Sequence, residues 1–278
     1  MKIIILGCTG MLGSQVFDYF EKKNYEIVGT FRNTLPKKLS NKYSEKKFLK
    51  VNDLFSKSFL DKLKDFDCII NCIGVIKQNT NINTRELFRI NSSFPFQICQ
   101  SIKNTESHFI HLSTDCVFSG NEGHYSETEI PNPVDAYGLS KLLGEVESKN
   151  SLVIRTSIIG HEINSRKSLI DWFLGQKKIK GFSRAYFSGL PTVEIAEILE
   201  RYIIPKRITG LYHIAGNKIS KYDLLRIVND TYKANVIISK EETFNIDRSL
   251  NADKFNKLTN YQADDWGKLI EKMRISKI

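Results

Sequence analysis

Cysteine is scarce: Cys8, Cys68, Cys72, Cys99 and Cys116 are odd in number and form no CxxC pair. That excludes the spacing of a structural metal site and argues against a disulfide framework, so no metal is expected and reduced thiols in a cytoplasmic protein fit best. Long apolar runs are also missing. The stretch from Cys68 to Val75 falls far short of the roughly 20 residues that cross a bilayer, and Met1-Lys2-Ile3 leads straight into a strand pattern without a basic leader. Neither a membrane span nor a signal peptide is expected. With six prolines in 278 residues, and no repeat or low-complexity tract, there is no evident linker between separable domains. Acidic residues are in deficit, 31 against 41 Lys and Arg, for a formal charge of +10. The basic residues fall in short scattered groups such as Lys22-Lys23 and Lys177-Lys178. That pattern favours compositional drift first and a diphosphate-attracting field second, with neither nucleic acid nor membrane expected as a partner.

What the chain does have is alternation. Residues 2 to 7 form an apolar, β-branched run, followed by Gly7, Gly10 and Gly13 and a helical pattern from Leu12 to Lys22. Strand patterns recur at Glu26–Phe31, Phe48–Val51, Cys68–Ile73 and His108–Leu112. Helical stretches lie between them at 57–64 and at 86–103, the latter broken only by Phe94-Pro95, and another runs from Tyr137 to about Ser148. This order predicts an α/β fold, a doubly wound parallel sheet of Rossmann type. A sixth strand is expected at Leu152–Ile159, after which the pattern loosens. The expected division is a nucleotide-binding domain over 1–159, rejoined by 190–216, and a smaller C-terminal substrate-binding lobe from 160–189 and 217–278.

The turn Gly7-Cys8-Thr9-Gly10-Met11-Leu12-Gly13 stands between strand and helix, where glycines let the backbone approach a pyrophosphate and the helix amino terminus faces it. Cys72-Ile73-Gly74, at the end of the fourth strand, is expected on the same crevice. Where an NAD site usually carries a carboxylate, the second strand ends in Phe31-Arg32-Asn33. Arg32 could pair with a 2′-phosphate, so NADPH is expected over NADH, with Asp53 and Leu54 at the adenine edge. Tyr137 and Lys141 lie four apart on a helix and share a face. An ammonium there favours the phenolate, and bringing a phenol from about 10 to working pH asks for about 4 kcal/mol. Thr114 follows an apolar strand and could donate to a substrate carbonyl, as could Ser113 in a slipped register. Asp115 either binds a sugar hydroxyl or caps the loop.

These segments, together with Ser113-Thr114-Asp115-Cys116-Val117-Phe118, Arg155-Thr156-Ser157, Ser188-Gly189-Leu190-Pro191-Thr192 and Gly210–Gly216, resemble the extended short-chain dehydrogenase/reductases. Within them the chain is similar, over essentially its whole length, to the dTDP-4-dehydrorhamnose reductase group. The resemblance implies hydride transfer from a reduced nicotinamide to the 4-keto carbon of a nucleotide-linked deoxysugar, in polysaccharide precursor synthesis, with Thr114, Tyr137 and Lys141 as the catalytic set. A cleft lined by Thr114, Asp115, Cys116 and Arg155, with Arg248 near the diphosphate, would hold the substrate; a homodimer is compatible with it. Two departures stand out: Ile158 replaces an aromatic residue, and the acidic end of the second strand is absent. Cys116 in place of the Glu of related dehydratases argues against dehydration. It leaves open a 3,5-epimerase/4-reductase, with His161 as the opposing acid. A third reading is a non-catalytic NADP-binding regulatory subunit, like the methionine adenosyltransferase β subunit, which is similar to this reductase group.

Overall fold

In the computed structural model, which describes residues 1–76 and 83–278, the apolar run after Met1 becomes β1 (Lys2–Leu6), with Ile3 to Leu6 wholly enclosed. Alternation then gives α1 (Met11–Glu21), β2 (Glu26–Phe31), α2 (Lys37–Ser40), β3 (Phe48–Lys50), α3 (Lys57–Lys62) and β4 (Cys68–Asn71). It continues with α4 (Thr84–Phe88), α5 (Phe94–Ile102), β5 (His108–Leu112), α6 (Ala136–Leu142) and β6 (Ser151–Arg155). The strands assemble, with the later β10 (Gly210–His213), in the order β10-β6-β5-β4-β1-β2-β3, every neighbouring pair parallel. This is the doubly wound Rossmann sheet. Strand order reverses between β1 and β4, so a crevice opens at their carboxyl ends.

Two helices differ from the sequence reading. The stretch 86–103 breaks at Phe94-Pro95 as expected, but the interruption begins earlier: α4 stops at Phe88, Arg89–Ser93 widens into a π turn, and α5 restarts with Phe94-Pro95. Proline has no N–H to give the preceding turn, so the ladder breaks there. The helix expected to reach Ser148 ends at Leu142. The sixth strand likewise ends at Arg155, and Ile158–Ile159 forms a separate short β7.

The remainder comprises α7 (Leu169–Leu174), β8 (Lys178–Phe187), β9 (Leu190–Pro191), α8 (Thr192–Ile198), β11 (Ile219–Ser220), α9 (Lys221–Tyr232), β12 (Ile237–Asp247), α10 (Asp253–Thr259) and α11 (Trp266–Ile275). β10 returns to the main sheet beside β6, while β8 pairs parallel with β12 and antiparallel with β11 in a second sheet. One apolar cluster runs from Ile3 through α1 and α8 to Met273 of α11. Sheet and lobe therefore share a core, which fixes the angle between the two walls of the crevice. No helix among the described residues is long and apolar enough to cross a membrane.

Candidate active site

The first wall is made by backbone geometry. Gly7 has φ +80°, a region that costs an L side chain strain, and its N–H donates to Thr30 Oγ1 at 2.9 Å. A Cβ on Gly13 would lie 2.1 Å from the Gly7 carbonyl oxygen, so only glycine lets α1 seat this closely on β1. α1 begins after Gly10 with no side-chain cap and no acidic residue in its first turn. Its free amides and dipole therefore face the crevice and suit an anion. A pocket of about 240 Å³ follows, bounded by Gly7, Thr9, Gly10, Arg32, Leu54, Cys72, Ile73 and Gly74. Asn33 and Asp53 are exposed and outside this lining. The Asp53 carboxylate accepts the Phe55 N–H at 3.0 Å and stands 3.6 Å from Arg89.

The pocket opens into a cleft of about 800 Å³ that carries Gly10, Met11 and Leu12 along with Thr114, Asp115, Cys116, Tyr137 and Lys141. Asp135 caps α6 by accepting the Gly138 N–H at 2.8 Å, and this puts Tyr137 in the first turn, with Lys141 one turn on. Thr114 Oγ1 accepts the Cys116 N–H at 3.2 Å, and its one proton is shared between the Asp115 carboxylate, also at 3.2 Å, and the Tyr137 hydroxyl. Ser113 also borders the cleft, but its hydroxyl donates to Glu145 at 2.5 Å, which leaves Thr114 beside Tyr137 as in the unslipped register. Burial pushes the Tyr137 phenol above its ordinary range; nearby Cys116 and Asp115 add to this and the Thr114 bond opposes it. The expected depression by Lys141 is thus not the dominant effect.

Lys141 is governed from behind. Its Nζ donates to the Leu112 carbonyl at 2.6 Å and lies 3.5 Å from His111 Nε2. The Ile73 N–H donates to Asn71 Oδ1 at 3.1 Å, which turns the Asn71 amide nitrogen to His111 Nδ1 at 3.1 Å. His111 Nδ1 therefore accepts, and the ring proton sits on Nε2, facing the amine. Burial keeps His111 well below its usual range, and burial also pushes Lys141 down to about 8. An amine near 8 is mostly charged at neutral pH and yields its proton more readily than an ordinary lysine.

Three further expectations meet the structure differently. Arg155 does not line the cleft: it is buried, its Nε and Nη2 bond Glu145 at 2.7 to 3.2 Å, and its guanidinium packs 5.2 Å from the Phe118 ring. A guanidinium enclosed with its carboxylate has no donor group aimed at a substrate. His161, the opposing acid of the epimerase reading, is engaged by Asp171 at 2.6 Å and by Tyr232 at 2.8 Å within the lobe. Arg248 does reach the catalytic loop, with Nε donating to the Phe118 carbonyl at 2.9 Å and Nη1 lying 3.6 Å from Cys116 Sγ. Two residues near the site were not anticipated: His111, whose ring in a buried strand that also holds His108 was the available signal, and Lys221, whose ammonium lies over the Phe187 ring within electrostatic reach of Asp115. None of the five cysteines is in a disulfide, and burial pushes Cys8, Cys68 and Cys72 up to about 12.

The RmlD substrate binding domain family matches residues 1–270. Methionine adenosyltransferase 2 subunit beta of Bos taurus is 25% identical over 251 residues, covering 83% of this chain and 72% of that protein. A hypothetical dTDP-4-dehydrorhamnose reductase of Sulfolobus tokodaii superposes with a TM-score of 0.79 at 26% identity, over 96% of this chain and 98% of that one. The dTDP-4-dehydrorhamnose reductase of Bacillus anthracis, solved with NADP, gives 0.81 at 18% identity over 99% of both. The chain belongs to the RmlD family of extended short-chain dehydrogenase/reductases.

Proposed function

We propose that this RmlD-family protein binds NADPH along the glycine turn and reduces the 4-keto group of a nucleotide-linked 4-keto-6-deoxy sugar. One observation carries the reading: Thr114, Tyr137 and Lys141 meet across one cleft from Gly10, Met11 and Leu12. The pocket's residues fit a dinucleotide, since the amides at the start of α1 are uncapped and Arg32, not a carboxylate, follows β2. The NADP held by the Bacillus anthracis neighbour agrees with this.

When bound, the reduced nicotinamide supplies hydride. Thr114 orients the ketone oxygen, and Tyr137 gives it a proton as negative charge develops there. A sugar alkoxide is a stronger base than a phenolate, so a phenol held high by burial still donates. Lys141, pushed down to about 8, is a better acid than an ordinary lysine and returns the proton to Tyr137. Its neutral form is then met by the His111 Nε2–H. The test is NADPH consumption with UDP-, dTDP- and GDP-linked 4-keto-6-deoxy sugars. Turnover with one of them supports the reading; NADPH binding with no turnover on any overturns it. Deuterium from solvent at C3 or C5 of the product would convert it to the 3,5-epimerase/4-reductase.

The Bos taurus relative favours a second reading, a nucleotide-binding regulatory subunit. Intact Thr114, Tyr137 and Lys141 weigh against it. Cofactor binding without consumption would favour it.

A further inference from the structure

Asn71, His111 and Lys141, all buried, run in line from the turn of the nucleotide pocket to the catalytic cleft. The order starts in the backbone. Asn71 closes β4, and its Oδ1 accepts the Ile73 N–H at 3.1 Å, which turns its amide nitrogen to His111 Nδ1 at 3.1 Å. A ring nitrogen that accepts carries no proton, and burial keeps the imidazole neutral. Its one N–H therefore sits on Nε2, 3.5 Å from Lys141 Nζ. Against a neutral amine this N–H donates to the nitrogen lone pair; against an ammonium it sets hydrogen against hydrogen. The Leu112 carbonyl, 2.6 Å from Nζ, takes a hydrogen from either form. The locked tautomer thus disfavours one protonation state of Lys141.

The same turn is tied to α6 a second time. Asn91 accepts the Val75 N–H at 2.8 Å and donates to the Val75 carbonyl at 3.0 Å, and its amide also donates to Ser140 Oγ at 2.9 Å, next to Lys141. Between these two ties lie Cys72, Ile73 and Gly74, which line both pockets. The remaining groups around the amine act otherwise. Glu145, one turn on, favours the ammonium but is held by Arg155 and Ser113. Cys72 keeps its thiol proton, since burial pushes it up to about 12. Tyr137, with Asp115 and Cys116 from the loop after β5, stands on the cleft side. From the π turn, Asn91 and Ser92 bond Ser140 and do not titrate.

We propose that Asn71 and His111 are a positioning pair that holds a fixed N–H dipole against Lys141, so that the turn lining the nucleotide pocket sets how readily the catalytic lysine releases its proton. The pair deepens the reductase reading above, and only its kinetic consequence rests on that reading.

The test reads the two nitrogens by NMR on the whole protein. Ring-nitrogen shifts of histidine-labelled wild type, assigned through the backbone, should place the His111 proton on Nε2 and leave Nδ1 bare throughout the neutral range. The Lys141 side-chain signal, assigned by its loss in Lys141→Met, should titrate near 8 in wild type and about one unit higher in His111→Phe, the scale of one hydrogen-bonding dipole. With a ketosugar that is turned over, the alkaline fall in kcat should move up by the same amount. A His111 proton on Nδ1 overturns the pair, and that arm needs no variant to fold. A Lys141 midpoint that is unchanged in folded His111→Phe also overturns it, because a histidine that only packs would alter melting alone. A lowered midpoint overturns it too, since Nε2 would then have accepted from the ammonium. The expected tautomer and midpoint shift without NADPH oxidation on any ketosugar would support the pair and overturn the reductase reading.

Discussion

The two walls of the cleft are built on different terms. On the β1 side, seven consecutive residues from Gly7 to Gly13 set the turn, and at Gly7 and Gly13 what it requires is the absence of a side chain. On the lobe side, contacts join residues far apart in sequence: Arg248 meets Phe118 and Cys116 across 130 and 132 positions, and the Leu250 N–H meets Ser188 across 62. Backbone sterics make the first wall nearly independent of the rest of the chain, whereas the second exists only once the lobe has docked. Chemistry should therefore be separable from cofactor binding, and lobe docking from both. The largest expected effect tests the first separation. Tyr137→Phe should lower turnover by about 10²-fold to 10⁴-fold, the usual contribution of a proton-transfer group, while NADPH affinity by fluorescence titration stays near wild type. Equal losses in both would mean that Tyr137 mainly shapes the nucleotide pocket.

Arg155 tests the second separation, because it resembles a substrate residue in the sequence and packs as a structural one. Side-chain exposures of 4% for Arg155 and 7% for Glu145 leave the pair almost no water. Removing one partner leaves the other charge buried alone, at a cost of about 3–5 kcal/mol. Arg155→Ala should therefore shift the urea midpoint strongly, with the substrate KM of the surviving folded fraction unchanged. A raised KM at wild-type stability would return Arg155 to the cleft.

The same contrast explains what was legible. The glycine turn, the Thr114 loop and the Tyr137–Lys141 pair are local patterns, and β2 and β5 have the bounds their apolar runs predict. β8 was missed because its buried residues alternate with Lys, Ser and Arg, and β12 because none of its residues is buried and its middle is polar, so neither gives a continuous apolar run. The Arg155 partner was unreadable because Glu145 sits in a stretch that looks like surface helix, and only tertiary packing turns it inward. Lys221 reads as an ordinary first-turn lysine; Phe187 beneath it is 34 positions away and joins it only through β8 packing on α9. Asp53 was a plausible adenine partner by position, yet its nearest cation is Arg89.

A smaller effect sharpens the cofactor wall. Arg32 is exposed at the rim of the nucleotide pocket, so its bond to a 2′-phosphate would compete with water. Arg32→Ala should weaken NADPH by about tenfold, on the scale of one charge-assisted bond, and leave NADH unchanged. Equal weakening of both cofactors would assign Arg32 to packing or to the shared diphosphate.

The smallest effect lies at the junction of the walls and depends on pH. His213, at the end of β10, donates from Nδ1 to the Tyr125 carbonyl at 3.0 Å, leaving Nε2 to accept from Arg155 Nη1 at 3.4 Å. Burial first, and the Arg155 charge second, push it down to about 3. A base whose pKa is lowered by folding stabilises the fold fully above its unfolded value, near 6.5, and loses that stabilisation as pH falls toward its folded value, because the unfolded chain takes up a proton that the fold refuses. From pH 6.5 to 5 His213 alone should cost roughly 1–2 kcal/mol, and buried His108 and His111 act in the same direction. Lys141 works at the other end: its folded value near 8 means that stability rises from about pH 8 toward the unfolded lysine range, as the cost of burying its charge is relieved. Thermal midpoints measured between pH 5 and 7 should fall less steeply in His213→Gln than in wild type, while Tyr137→Phe keeps the wild-type slope. Identical slopes in His213→Gln and wild type would show that the junction does not feel the proton, and that acid acts on the other buried histidines.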